Sequence, residues 1–111
     1  MEVNIKTADQ VTVVEVVGDV DGTTAPAVQS QVLPLAQPGG KILLDMSNVA
    51  YMSSAGLRLL LTMYRQVFSQ NGRIVLVGLA DEIKDTMSVT GFLRFFTTCE
   101  TVDEGLKALT H

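Results

Sequence analysis

The chain has no tryptophan, one cysteine and one histidine among its 111 residues, and aromatic residues make up only 5% of it. With 47% hydrophobic residues, the core it can build is aliphatic. The lone Cys99 excludes an internal disulfide and agrees with a reducing compartment. It reads as a small core residue of the last strand. His111 is the final residue, a position seldom held in place, and no Cys/His cluster exists to ligate a metal. No apolar run approaches the length of a membrane span, and no basic stretch followed by an apolar one opens the chain as a secretory signal would. Positive charge is scarce as well. Eight Lys and Arg against twelve Asp and Glu give a net charge of −4, and the bases do not cluster. The basic footprint that nucleic acid requires is therefore missing. These absences lead to the expectation of a soluble cytoplasmic domain with no metal, cofactor, membrane or nucleic acid of its own. Residues 1–111 have the length of one domain with one core.

What is present is an alternation of strand and helix patterns. Val3–Thr7 alternates weakly and Val11–Val17 is rich in β-branched residues, with Ala8-Asp9-Gln10 short enough for a hairpin. Gly18–Gly22 is a turn. Thr23 or Thr24 then caps a helix reaching about Ala36, with Pro26 in its first turn and Pro34 predicting an early end or a kink. Pro38-Gly39-Gly40 breaks the chain before the strand Lys41–Asp45. A helix from Ser54 to Gln70 stops at Asn71-Gly72, and Arg73–Gly78 is a second buried strand. A helix over Asp81–Thr90, a weak strand Phe95–Cys99 and a helix Val102–Leu109 complete the pattern. The fold class is α/β: a mostly parallel sheet with an antiparallel N-terminal hairpin at its edge, packed against about four helices. Val14, Val16, Ile42, Leu44, Ile74 and Leu76 are the expected buried strand residues.

The pair Ser53-Ser54 stands between a buried strand and an apolar-periodic helix. A serine there accepts from free N–H groups of the first turn, and the same N–H groups, with the positive end of the helix dipole, suit an anion. A phosphate on Ser54 would be tolerated at that place; the alternative is a cap and nothing more. Hydrolytic use of Ser54 lacks a base, and the Gly-x-Ser-x-Gly elbow is incomplete, so no catalytic residue is assigned. Gly39-Gly40-Lys41 lacks the rest of a phosphate loop and reads as a turn before a strand. A phosphate on Ser54 would have to come from another protein.

Asp45-Met-Ser-Asn-Val-Ala-Tyr-Met-Ser-Ser-Ala-Gly-Leu-Arg58 resembles the signature of STAS domains, in particular of bacterial anti-sigma factor antagonists. Gly18-Asp-Val-Asp-Gly-Thr-Thr-Ala-Pro26 is similar to that family's turn after the second strand, and the likeness covers the whole chain in the order of its elements. The resemblance implies that Ser54 is the phosphoacceptor. Many antagonists carry Asp where this chain has Ser53, which leaves Ser53 as the alternative acceptor. It also implies a non-enzymatic switch. Unphosphorylated, the domain would bind a GHKL-type serine kinase that doubles as an anti-sigma factor; phosphorylation would weaken the complex and a serine phosphatase would reset it. The other reading within the family is a scaffold or ligand-binding STAS module, as in stressosome-like assemblies, lipid-transport accessories or transporter tails.

Asp21 and Ser54 both follow strands expected to run parallel, which places them at one end of the sheet. By resemblance Asp21 helps present the acceptor; otherwise it shapes the turn or caps the helix. On the Ser54 helix, a period of 100° per residue gathers Leu57, Leu60, Leu61, Tyr64, Val67 and Phe68 into a core stripe, with Arg58, Thr62, Arg65 and Ser69 on the polar side. Leu59 and Met63 fall outside both groups, and either pack under the following helix or form an apolar patch for a partner. Arg58 either contacts a partner or ATP phosphate, or is a solvated charge. With Gly56 of the motif, the expected partner surface comprises Asp21, Ser53, Ser54, Gly56, Arg58, Leu59 and Met63.

Overall fold

The structure is a computed structural model and describes residues 1–110; His111 lies outside the described residues. Strands β1 (Glu2–Ala8) and β2 (Val11–Val17) form the expected hairpin, with Ala8 opposite Val11. The two turn residues, Asp9 and Gln10, both adopt positive φ (53° and 65°). A two-residue connection needs that conformation to match the twist of its strands. Strands β3 (Lys41–Asn48), β4 (Arg73–Val77) and β5 (Thr97–Cys99) follow in parallel, giving one five-stranded sheet in the order β1-β2-β3-β4-β5.

Helix α1 (Ala25–Val32) gives way to a 3-10 turn at Leu33–Leu35. Pro34 has no N–H to continue the α ladder, so the early end read from the sequence is found. Helices α2 (Ser54–Ser69), α3 (Asp81–Val89) and α4 (Val102–Thr110) complete the chain. The last strand is shorter than expected. Leu93–Phe95 forms a second 3-10 turn, closed by the Phe96 N–H on the Leu93 carbonyl, so Phe95 precedes the sheet. Strand β3 instead runs three residues past Asp45, which lies inside it.

Both faces of the sheet are covered, which is why its strands are nearly continuously apolar. Val14, Val16, Ile42, Leu44, Ile74 and Leu76 are all buried on the face packed by α1, α2 and α3. Val11, Val13, Leu43, Val75 and Val77 meet Leu109 of α4 on the other. Helix α4 comes close because Gly105 faces the sheet: a Cβ there would stand 2.7 Å from Leu43 Cδ1 and 2.8 Å from Val77 Cγ2. Cys99 packs half-buried beside this second cluster.

The core stripe of α2 differs from the expected one. Leu59 and Met63 are buried at 5% and 1% exposure, whereas Phe68 is 67% exposed and Leu61 and Tyr64 are half-buried. At 100° per residue the true stripe, centred on Gly56, Leu60, Met63 and Val67, is rotated by roughly 70° from the one drawn by counting large apolar side chains. The cause is Gly56. A residue without a side chain lets the helix approach most closely, so it faces inward and turns the rest with it. Phe68 instead packs sideways on Tyr64, whose ring also meets Phe95 and Phe96.

Candidate functional site: the mouth of α2

Two loops at the carboxyl end of the sheet are laced together and hold the start of α2. Gly18, at φ 112°, donates its N–H to Asn48 O (3.0 Å). Val20 donates to Tyr51 O (3.0 Å) and Ser53 donates to Val20 O (2.8 Å), a parallel bridge between Val20 and Met52. Beneath it Gly56 seats the first turn of α2 on these two side chains. A Cβ at position 56 would lie 2.3 Å from Met52 Cγ and 3.1 Å from Val20 Cγ1. The glycine of the motif is thus a packing requirement of the loop crossing, and it is buried beneath the surface rather than part of it.

The two serines are not equivalent. Ser53 is the N-cap, with extended backbone (φ −82°, ψ 179°), and its Oγ accepts from the Ala55 N–H at 3.2 Å. Ser54 is the first helical residue, exposed, and its hydroxyl makes no hydrogen bond among the described residues. The cap predicted for this pair is therefore supplied by Ser53, which leaves the Ser54 hydroxyl free for chemistry.

Asp21 sits on the facing loop, next to the bridged Val20. Its Oδ1 accepts from the N–H groups of Thr23 (2.9 Å) and Thr24 (3.0 Å), and Asp21 N–H donates to Thr24 Oγ1 (3.0 Å). Those bonds, that from Thr24 first, hold its carboxyl below the usual carboxylate range. Asp21 thus shapes the turn that opens α1, in place of a cap by Thr24, whose side chain makes no cap bond to the helix. The structure also brings it to the same end of the sheet as Ser54.

Of the apolar pair expected at the surface, neither is presented. Met63 lies in the interior against Val16, Val28 and Leu44. Leu59 forms the floor of an open groove between α1 and α2, walled by Pro26, Gln29, Leu33, Arg58 and Thr62. Arg58 is exposed on that wall; its carbonyl accepts from Thr62 Oγ1, and its guanidinium makes no hydrogen bond or ion pair among the described residues. Sequence reasoning missed this groove because it depends on how α1 sits beside α2.

Carboxylates predominate after the strands that end near Ser54. Asp19, Asp21, Asp81, Glu82, Asp103 and Glu104 follow the carboxyl ends of β2, β4 and β5, whereas Lys41, Arg73 and Arg94 stand at the amino ends of β3, β4 and β5. Ser54 therefore opens at the end of the sheet where these carboxylates gather. Among the described residues no group of His, Cys, Asp and Glu could hold a metal ion, and no helix is long and apolar enough to cross a membrane. Cys99 is a poor nucleophile, because burial, helped by the Glu104 charge, pushes its thiol up.

Comparison with known proteins places the fold in a family. The family model for the STAS domain matches residues 2–105. An anti-sigma-B factor antagonist of Bacillus subtilis (strain 168) is 26% identical over 91 residues, covering 82% of this chain and 84% of the relative. The anti-sigma-B factor antagonist of Staphylococcus aureus (strain NCTC 8325 / PS 47) is 30% identical over 94 residues, covering 82% and 87%. Among solved structures, an anti-sigma factor antagonist from Mycobacterium paratuberculosis superimposes with a TM-score of 0.88 at 25% identity, over 99% of this chain and 94% of that one. The Bacillus cell fate determinant SpoIIAA in its phosphorylated form shares the fold at a TM-score of 0.74 and 15% identity, over 96% and 98%. The chain belongs to the STAS domain family, in which the Bacillus subtilis and Staphylococcus aureus relatives are anti-sigma-B factor antagonists.

Proposed function

We propose that this domain is a phosphorylation-switched anti-sigma factor antagonist with Ser54 as the phosphoacceptor. The observation that carries the reading is the division of labour in the serine pair: Ser53 is bound as the helix cap, while Ser54 is exposed and its hydroxyl unbonded. The unphosphorylated domain binds an anti-sigma factor that is itself a GHKL-type serine kinase, through Ser54, Arg58 and the adjoining groove between α1 and α2. Binding occupies the kinase and releases its sigma factor in the cytoplasm. The kinase then transfers the γ-phosphoryl group of ATP to Ser54 Oγ; the hydroxyl proton passes to a base on the kinase and ADP leaves. Asp21, whose carboxyl the bonds from Thr24 and Thr23 hold below the usual carboxylate range, is a poor base for that proton. A serine phosphatase hydrolyses the ester and resets the switch.

Phosphorylation adds about −1.5 to −2 charges at neutral pH. Here they arrive at the end of the sheet where carboxylates gather, so a partner face suited to the unmodified domain meets extra charge and an added desolvation cost. Loss of about 1.4 kcal/mol weakens binding tenfold, so disturbance of one or two charge-assisted contacts suffices to separate the proteins. That SpoIIAA exists in a phosphorylated form supports the chemistry. Incubation with the cognate kinase and ATP should add one phosphate, located at Ser54 by fragmentation mass spectrometry. A phosphate on Ser53, or none on either serine, would overturn the assignment.

A further inference from the structure

We infer that Arg58 is the internal receiver of the Ser54 phosphate, an arginine clamp that closes only in the modified state; this rests on Ser54 being the acceptor. Ser54 and Arg58 stand at i and i+4 on α2, both exposed and both on the face opposite the buried stripe of Gly56, Leu60, Met63 and Val67. Residues so spaced have Cβ atoms about 5–6 Å apart, and an anion placed four residues before a cation is the favourable orientation. Helical side chains lean toward the N-terminus, so the long Arg58 side chain extends over the turn that carries Ser54. Its guanidinium has no competing partner among the described residues, and its planar fork matches phosphate oxygens in pairs.

Along the chain, Arg58 is the basic residue nearest to Ser54. Arg58 is the one basic residue between Ala50 and Tyr64. The facing loop contributes Asp19 and Asp21, and the hydrogen bonds from Thr24 and Thr23 to Asp21 favour its charged form. A phosphate at Ser54 is thus repelled from the loop and drawn along the helix to Arg58. Arg58 also forms part of the groove wall beside α1. Turning to the phosphate takes its charge out of that wall, so a modification at the helix mouth alters the neighbouring groove with no movement of the backbone. Arg58 is in this sense a positioning residue of the switch.

The test uses the full chain with phosphoserine incorporated at position 54 during translation, which makes it independent of any kinase. Phosphorus NMR across pH 4–8 reads the second ionisation of the phosphate, ordinarily near pH ~6. The clamp predicts that this ionisation lies about 0.5 pH unit lower in the parent than in Arg58→Gln. Arg58→Lys should recover part of the shift, and Arg65→Gln, three turns along the helix, should leave it at the parent value. Thermal melts supply the second readout: phosphoserine should raise Tm relative to serine by more in the parent than in Arg58→Gln. The same ionisation and the same Tm difference in parent and Arg58→Gln would overturn the clamp. Failure of a kinase to modify Ser54 would be seen separately by mass spectrometry and would overturn the switch instead.

Discussion

Gly56→Ala adds a single methyl group where the structure has no room for one. The new Cβ would stand 2.3 Å from Met52 Cγ and 3.1 Å from Val20 Cγ1. Met52 Cγ is mid-chain rather than a free tip, and both residues belong to the bridge that joins the loops, so relief requires the loops or the helix to move. Overpacking of this kind costs about 1–3 kcal/mol. In the other direction, alanine in a helix interior gains about 1 kcal/mol over glycine. With the steric effect near the middle of its range, the net expectation is destabilisation by about 1 kcal/mol, or a Tm lowered by roughly 4 °C for a domain of this size. Urea or thermal denaturation measures it, and a second background isolates the cause: in a Met52→Ala protein the same substitution should cost much less. The reasoning fails if Gly56→Ala melts at or above the parent temperature, or if the penalty is unchanged when Met52 is truncated. In either case Gly56 does not set the rotation of α2.

The rotated stripe makes its own prediction: Leu59→Ala and Met63→Ala should each lose about 2–5 kcal/mol in denaturation, whereas Phe68→Ala, at 67% exposure, should lose far less. Equal losses in all three would restore the stripe drawn from the sequence. For Asp21 the folded-state pKa is depressed, so its contribution to stability is present above the unfolded carboxylate range and is lost as pH falls through the lower folded value. Asp21→Asn should therefore flatten the acid limb of the Tm–pH curve, and an unchanged limb would show that the turn draws nothing from the charge.

Much of the fold was legible because its signals were local. β-branched runs, the two prolines around α1 and the Asn71-Gly72 stop each act on neighbouring backbone, and the elements they predict are found. The length of β5 was not, since Phe95 and Phe96 look like strand residues until they meet Tyr64 from another element. The same limit explains α2. Periodicity weighs large side chains, and the residue that decides the inward face is Gly56, whose neighbours Val20 and Met52 lie 36 and four residues before it and meet only at the loop crossing. Hence Leu59 and Met63 were candidates for a surface on which neither stands. The serine pair was legible as a site, yet which serine caps and which is free follows from backbone geometry at Ser53 alone.

The central claim is that a phosphate on Ser54 separates this domain from its kinase. Isothermal titration of the cognate kinase with the unmodified domain, with Ser54→Ala and with phosphoserine at position 54 tests it directly. The account predicts that the unmodified domain and Ser54→Ala bind alike, since removing a hydroxyl adds no charge, and that the phosphorylated domain binds at least tenfold more weakly. Equal affinity for the phosphorylated and unmodified domains would contradict it.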